Sequence, residues 1–76
     1  MKAYIHVTLK KGVLDPQGKA IAQALHGMGF DEVAEARQGK TIELDLAEGT
    51  DIARIEQMCE KLLANTVVED YRIELA

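Results

Sequence analysis

The densest chemistry in this 76-residue chain lies between Gly12 and Ile21, GVLDPQGKAI: two glycines, the single proline, and Asp15 where a helix should begin. Glycine ahead of a helix start can form an anion cradle, because the first N–H groups point outward at the positive end of the helix dipole. The spacing here matches neither G-x-x-x-x-G-K-[ST] nor G-x-G-x-x-G. An aspartate at the N-cap already occupies that positive end and repels phosphate. Asp15 as N-cap with Pro16 as first helical residue is an ordinary helix start. Capping leaves Gly18 unexplained: a glycine in the first turn costs about 1 kcal/mol relative to alanine. The expectation is a compensating close approach of another backbone at that position.

The remaining reactive side chains are scattered. Cys59 falls on an apolar helical stripe, one turn from Ile55, where it reads as a small buried hydrophobe and not as an accessible thiolate beside a base. His26 lies near a helix end, where an imidazolium meets the negative dipole end favourably. His6 is mid-strand, on the face expected to point away from the helices. Neither histidine has a partner at catalytic or metal-ligand spacing in the sequence. Asp31, Glu32, Glu35, Glu69, Asp70 and Glu74 read as solvated faces, since acid–base work needs a pocket that raises one carboxyl pKa. Arg37 and Lys40 flank Gly39 and make a small basic tip, suited to a carboxylate or phosphate contact. No catalytic set emerges from the residues themselves.

The elements that must position these groups follow from periodicity. Ala3, Ile5, Val7 and Leu9 alternate with Lys2, Tyr4, His6 and Thr8, which predicts a strand with one buried face. Ile21, Leu25 and Met28 recur at helical spacing, so a helix is expected from about Pro16 to Met28, with Gly29 ending it in a left-handed residue. Phe30–Gln38 and Lys40–Leu46 read as two strands joined by a tight hairpin at Gly39. Thr50 or Asp51 caps a second helix with Ile52, Ile55, Cys59 and Leu62 on one stripe and Met58 and Leu63 beside it. Asn65 suits its C-terminal turn. Tyr71, Ile73 and Leu75 then alternate with Asp70, Arg72 and Glu74 in a last strand. The order βαββαβ in a single domain, residues 1–76, predicts a ferredoxin-like α+β sandwich: a four-stranded antiparallel sheet with two helices on one face. Its other face would carry Tyr4, His6, Thr8, Thr41, Glu43, Arg72 and Glu74.

Size and composition bound the partners. A chain this short buries only about 60% of its unfolded surface, and one cysteine allows no internal disulfide. Self-association is the expected source of further burial. The alternating N-terminal segment has no continuous apolar run, so neither a membrane span nor a signal peptide is expected, and the chain reads as cytoplasmic. A net charge of −4 argues against nucleic acid, and Tyr4, Phe30 and Tyr71 are too few for base stacking.

Three segments, VTLKKGVLDPQGKAI, ARQGKTIEL and CEKLLAN, resemble the PurS family, the small subunit of phosphoribosylformylglycinamidine (FGAM) synthase in de novo purine biosynthesis. The similarity extends over essentially the whole chain; Thr66 departs from it, standing where the family often has proline. The resemblance implies a complex that converts the formylglycinamide ribonucleotide, ATP and glutamine into the amidine. A PurL-type synthetase subunit would hold substrate, ATP and Mg, and a PurQ-type glutaminase subunit would release ammonia. The small subunit would carry no cofactor and no catalytic residue. It would self-associate as a dimer or tetramer and bridge the other two. Under that reading Lys11, Gly12, Asp15, Gln17, Gly18, Arg37, Gly39 and Lys40 are contact residues, with glycines permitting close approach and polar side chains fixing register. Two other classes share this architecture: an ACT-like module binding a small ligand near Gly12, and an acylphosphatase-like hydrolase. The latter needs an arginine anion loop where this chain has Asp15.

Overall fold

A computed structural model describes all residues from Met1 to Ala76. The alternation in the first segment becomes strand β1 (Lys2–Leu9), whose Ala3, Ile5 and Val7 are wholly buried. Strand β2 (Gly39–Asp45) and strand β3 (Glu69–Leu75) flank it, both antiparallel, in the order β2-β1-β3. The registers Ile5↔Ile42 and Ile5↔Ile73 align the apolar positions of all three strands on one face, as the period of two requires.

Helix α2 (Ile52–Met58) covers that face. Asp51 caps it, accepting from the Ala53 N–H at 3.3 Å. Ile55 and Cys59 are fully buried with Ile5 and Val7 in one cluster; full burial of an aliphatic side chain such as Ile55 stabilises the fold by about 1.5–3 kcal/mol. The helix does not keep its α period to the end. Residues Cys59–Leu63 form a π-helical turn, closed by the Ala64 N–H donating to the Cys59 carbonyl at 3.0 Å. A wider turn advances the apolar stripe by one residue. Leu62, expected on the stripe, is therefore 83% exposed, while Leu63 is half-buried and Ala64 buried.

Helix α1 (Pro16–Gly27) starts where the Asp15 cap and Pro16 place it. Its place in the fold departs from the expectation. None of its side chains joins the core; Ile21 is 40% and Met28 73% exposed. Residues 30–38 form no strand of the sheet, which has three strands within this chain and not four. Gly39 explains the difference. Its φ is not in the left-handed region that a tight hairpin demands; only Gly12, Gly29 and Gly49 are there. It lies instead in line with β2, paired with Thr8, where a Cβ would come within 2.5 Å of the Val7 carbonyl oxygen. The backbone thus passes straight through Gly39 and does not reverse. Helix α1 and the segment returning from Phe30 to Gln38 project together as an arm, and the molecule measures 48 × 25 × 14 Å.

Candidate partner interface

The base of the arm gathers most of the residues singled out in the sequence. Asp15 is 7% exposed and makes two hydrogen bonds there: Oδ1 accepts from the Gly18 N–H at 2.9 Å, and Oδ2 from the Gln38 N–H at 2.8 Å. One carboxylate therefore caps α1 and ties it to the returning segment. Those N–H groups, Gln38 first and then Gly18, hold the Asp15 pKa below the usual carboxylate value; the Arg37 guanidinium adds to this, and together they outweigh burial. Arg37 completes the joint. It donates to the carbonyls of Leu9 at 3.2 Å, Lys10 at 3.1 Å and Val13 at 3.3 Å. The Gln38 side chain donates to Gln17 Oε1 at 2.7 Å on the outer side.

The close backbone approach expected at Gly18 is the Ala36 carbonyl: a Cβ at Gly18 would overlap it, and would lie 2.7 Å from Asp15 Oδ2. Gly12, at φ +88°, allows the turn that brings the chain from β1 to the cap, with open space around it. The eight residues thus divide. Asp15 and Gly18 are buried, and Arg37 is committed to three carbonyls, so these hold the shape of the joint. Lys11, Gly12, Gln17, Gly39 and Lys40 are exposed around it. Gln17 and Lys40 border a shallow cleft completed by Thr8, Gln38, Gly39 and Glu69.

The histidines also serve local order. His26 contacts the Val33 carbonyl and fastens the outer part of the arm. His6 Nε2 lies 2.7 Å from Glu74 Oε1 and its Nδ1 3.1 Å from Thr41 Oγ1, so one ring stitches all three strands on the open face. Cys59 is wholly buried, and burial pushes its thiol pKa up, away from nucleophilic use. Sequence spacing had no means of finding the Arg37 brace or the His26 contact, because each acts on carbonyls, which every residue carries.

The fold and this joint define a small α+β chain with a braced, projecting arm. Comparison with known sequences gives it a family: a sequence model described as "PurS: Phosphoribosylformylglycinamidine (FGAM) synthase" matches residues 2–76, and the chain belongs to that family. It is 49% identical to the FGAM synthase subunit PurS of Bacillus subtilis, over 97% of this chain and 90% of that one. The Mycobacterium leprae PurS subunit is 44% identical over 95% and 91% of the two chains. Among solved structures, B. subtilis PurS superposes with a TM-score of 0.85 at 49% identity, covering 96% of this chain and 94% of that one. A chain in the structure of PurLQS from Thermotoga maritima gives a TM-score of 0.82 at 32% identity, covering 96% and 93%. No helix here is long and apolar enough to cross a membrane.

Proposed function

We propose that this chain is the small subunit of phosphoribosylformylglycinamidine synthase, the glutamine-dependent ligase that makes the amidine in de novo purine biosynthesis. The observation that carries this is the family match over residues 2–76, together with the likeness to a chain of the T. maritima PurLQS structure. Its partners are a PurL-type synthetase subunit, which binds ATP and Mg, and a PurQ-type glutaminase subunit, which releases ammonia. This chain holds no cofactor, works in the cytoplasm, and self-associates as a dimer or tetramer.

Its contribution is geometric. Ammonia released from glutamine is protonated or lost if its path opens to water, so a chain that holds two catalytic subunits in register controls the yield without touching substrate. A bridging part must be stiff. Asp15, Gly18 and Arg37 support that role by fixing the angle at which the arm leaves the sheet. Lys11, Gly12, Gln17, Gly39 and Lys40 then form the contact zone around a joint that keeps its shape.

The deciding experiment is reconstitution of amidine synthesis from the synthetase and glutaminase subunits, with and without this chain, using glutamine or ammonia as nitrogen donor. Glutamine-dependent synthesis should require the chain, while ammonia-dependent synthesis should persist without it. Equal glutamine-dependent rates in its absence refute the proposal. Lys11→Ala, Gln17→Ala and Lys40→Ala should each weaken assembly by about tenfold or less, as rim contacts do, without changing the unfolding of the isolated chain. Arg37→Ala should lower both.

A further inference from the structure

We infer that the free edge of β3 receives an extended, basic segment of another protein, which joins the sheet as an added strand. The segment carries lysine or arginine at alternate positions, and these reach Glu56 and Glu60 of α2. This goes beyond the contact zone at the base of the arm and holds whichever protein supplies the segment.

β3 borders the sheet, with β1 on one side and no strand of this chain on the other. Two bonds at its ends fix which backbone groups are free. The Lys10 N–H donates to the Val68 carbonyl at 2.9 Å, and the Ala76 N–H to the Lys2 carbonyl at 3.1 Å. In an antiparallel ladder, residues bonded to the neighbour alternate with residues facing away from it. Residues 70, 72 and 74 therefore bond to β1, and Tyr71, Ile73 and Leu75 turn their N–H and C=O groups outward. Open edges are commonly blunted by lysine, proline or a bulge. Glu69–Leu75 contains neither lysine nor proline, and its register to β1 runs without interruption. It offers a complete ladder to an incoming strand.

The charges beside this edge select the occupant. On the helix side β3 presents an apolar strip, with Tyr71 and Ile73 half-buried and Leu75 50% exposed. Glu60 and, less strongly, Glu56 act on the Tyr71 phenol, which places both carboxylates beside that strip. Both are exposed, and neither has an ion-pair partner within the chain. On the open side the carboxylates already have company: Asp70 pairs with Lys10, and Glu74 with His6 and more distantly Arg72. The uncompensated charge is thus negative and lies on the helix side. Lysine or arginine stems laid over Tyr71 and Ile73 bring their cationic ends to Glu60 and Glu56. A second copy fits the edge less well, because β3 meeting β3 about a two-fold axis gathers the unpaired Glu56 and Glu60 of both chains at one seam.

The test uses the full chain and a blocked seven-residue peptide in which lysine alternates with threonine, followed by nuclear magnetic resonance. It does not involve the purine reaction, so its failure and the failure of the subunit reading are separate results. At saturation the amides of Tyr71, Ile73 and Leu75 should exchange with solvent at least about tenfold more slowly, while those of β2 are unchanged. The same peptide with glutamate in place of lysine should not bind. Leu75→Pro removes one outward N–H and no bond to β1, and should weaken binding of the lysine peptide by about fivefold. Glu56→Gln combined with Glu60→Gln should weaken it by about as much, through the charges alone. Absence of binding at millimolar peptide overturns the proposal. So does slowed exchange along β2 or spread over the surface, or an affinity unmoved by either variant.

Discussion

Alanine placed at Gly18 and at Gly27 should move stability in opposite directions, although both glycines lie in α1. Helix propensity favours the substitution at either position by up to about 1 kcal/mol. At Gly27 nothing lies within 4 Å of the new methyl and φ is ordinary, so most of that gain should be realised, reduced because the site is the last residue of the helix. At Gly18 the methyl would overlap the Ala36 carbonyl oxygen and crowd Asp15 Oδ2. Backbone cannot swing aside as a long side chain can, so the returning segment must move and the Gln38–Asp15 bond with it. Overpacking of this kind costs about 1–3 kcal/mol, which offsets or exceeds the propensity gain and leaves a net loss of up to about 2 kcal/mol. For a domain of this size 1 kcal/mol corresponds to roughly 4–8 °C in Tm. Thermal unfolding followed by circular dichroism should therefore place Gly18→Ala at least about 5 °C below Gly27→Ala. Protein concentration must be matched, because association stabilises the folded state. If Gly18→Ala is as stable as Gly27→Ala, the close approach at the base of the arm is not what selects glycine there.

The depressed pKa of Asp15 sets a sign for acid stability. Its contribution is whole above the unfolded carboxyl value of about 3.9 and disappears as pH falls through the lower folded value. Asp15→Asn should accordingly lose stability near neutrality, and the gap to the unsubstituted protein should narrow in acid; a gap independent of pH refutes the assignment. Tyr71 tests the π-helical turn. The Glu60 carboxylate, first as acceptor for the phenol and then, with burial, as a like charge against the phenolate, pushes the Tyr71 pKa up to about 12. In a Tyr4→Phe background the phenolate absorbance should titrate there, and Glu60→Gln should bring it toward the ordinary value of about 10. A titration unmoved by Glu60→Gln would separate Tyr71 from that turn. The stabilisation by protonated Tyr71 is intact below the unfolded value and is lost as pH rises through about 12.

Local rules made much of this protein legible in its residues. Alternation in Lys2–Leu9 and Glu69–Leu75 identified two strands and their buried faces, since side chains on a strand can only point to one side or the other. Asp15 with Pro16, and Thr50 or Asp51 before Ile52, marked both helix starts, because orphan N–H groups need an acceptor at that place; the structure selects Asp51. Cys59 was readable as core from its spacing to Ile55. The π-helical turn that moved Leu62 out and Leu63 in was not, as a single inserted residue leaves the composition of a stripe unchanged. Nor was the fate of α1. An amphipathic stripe records that a face avoids water, and does not say which surface covers it. That was decided at the base of the arm, where Asp15 reaches Gln38 and Arg37 reaches back to Leu9, Lys10 and Val13, residues 23 to 28 positions apart. Bonds over such separations exist only once the chain has folded, so the tertiary structure alone determined that the helix stands away from its own sheet.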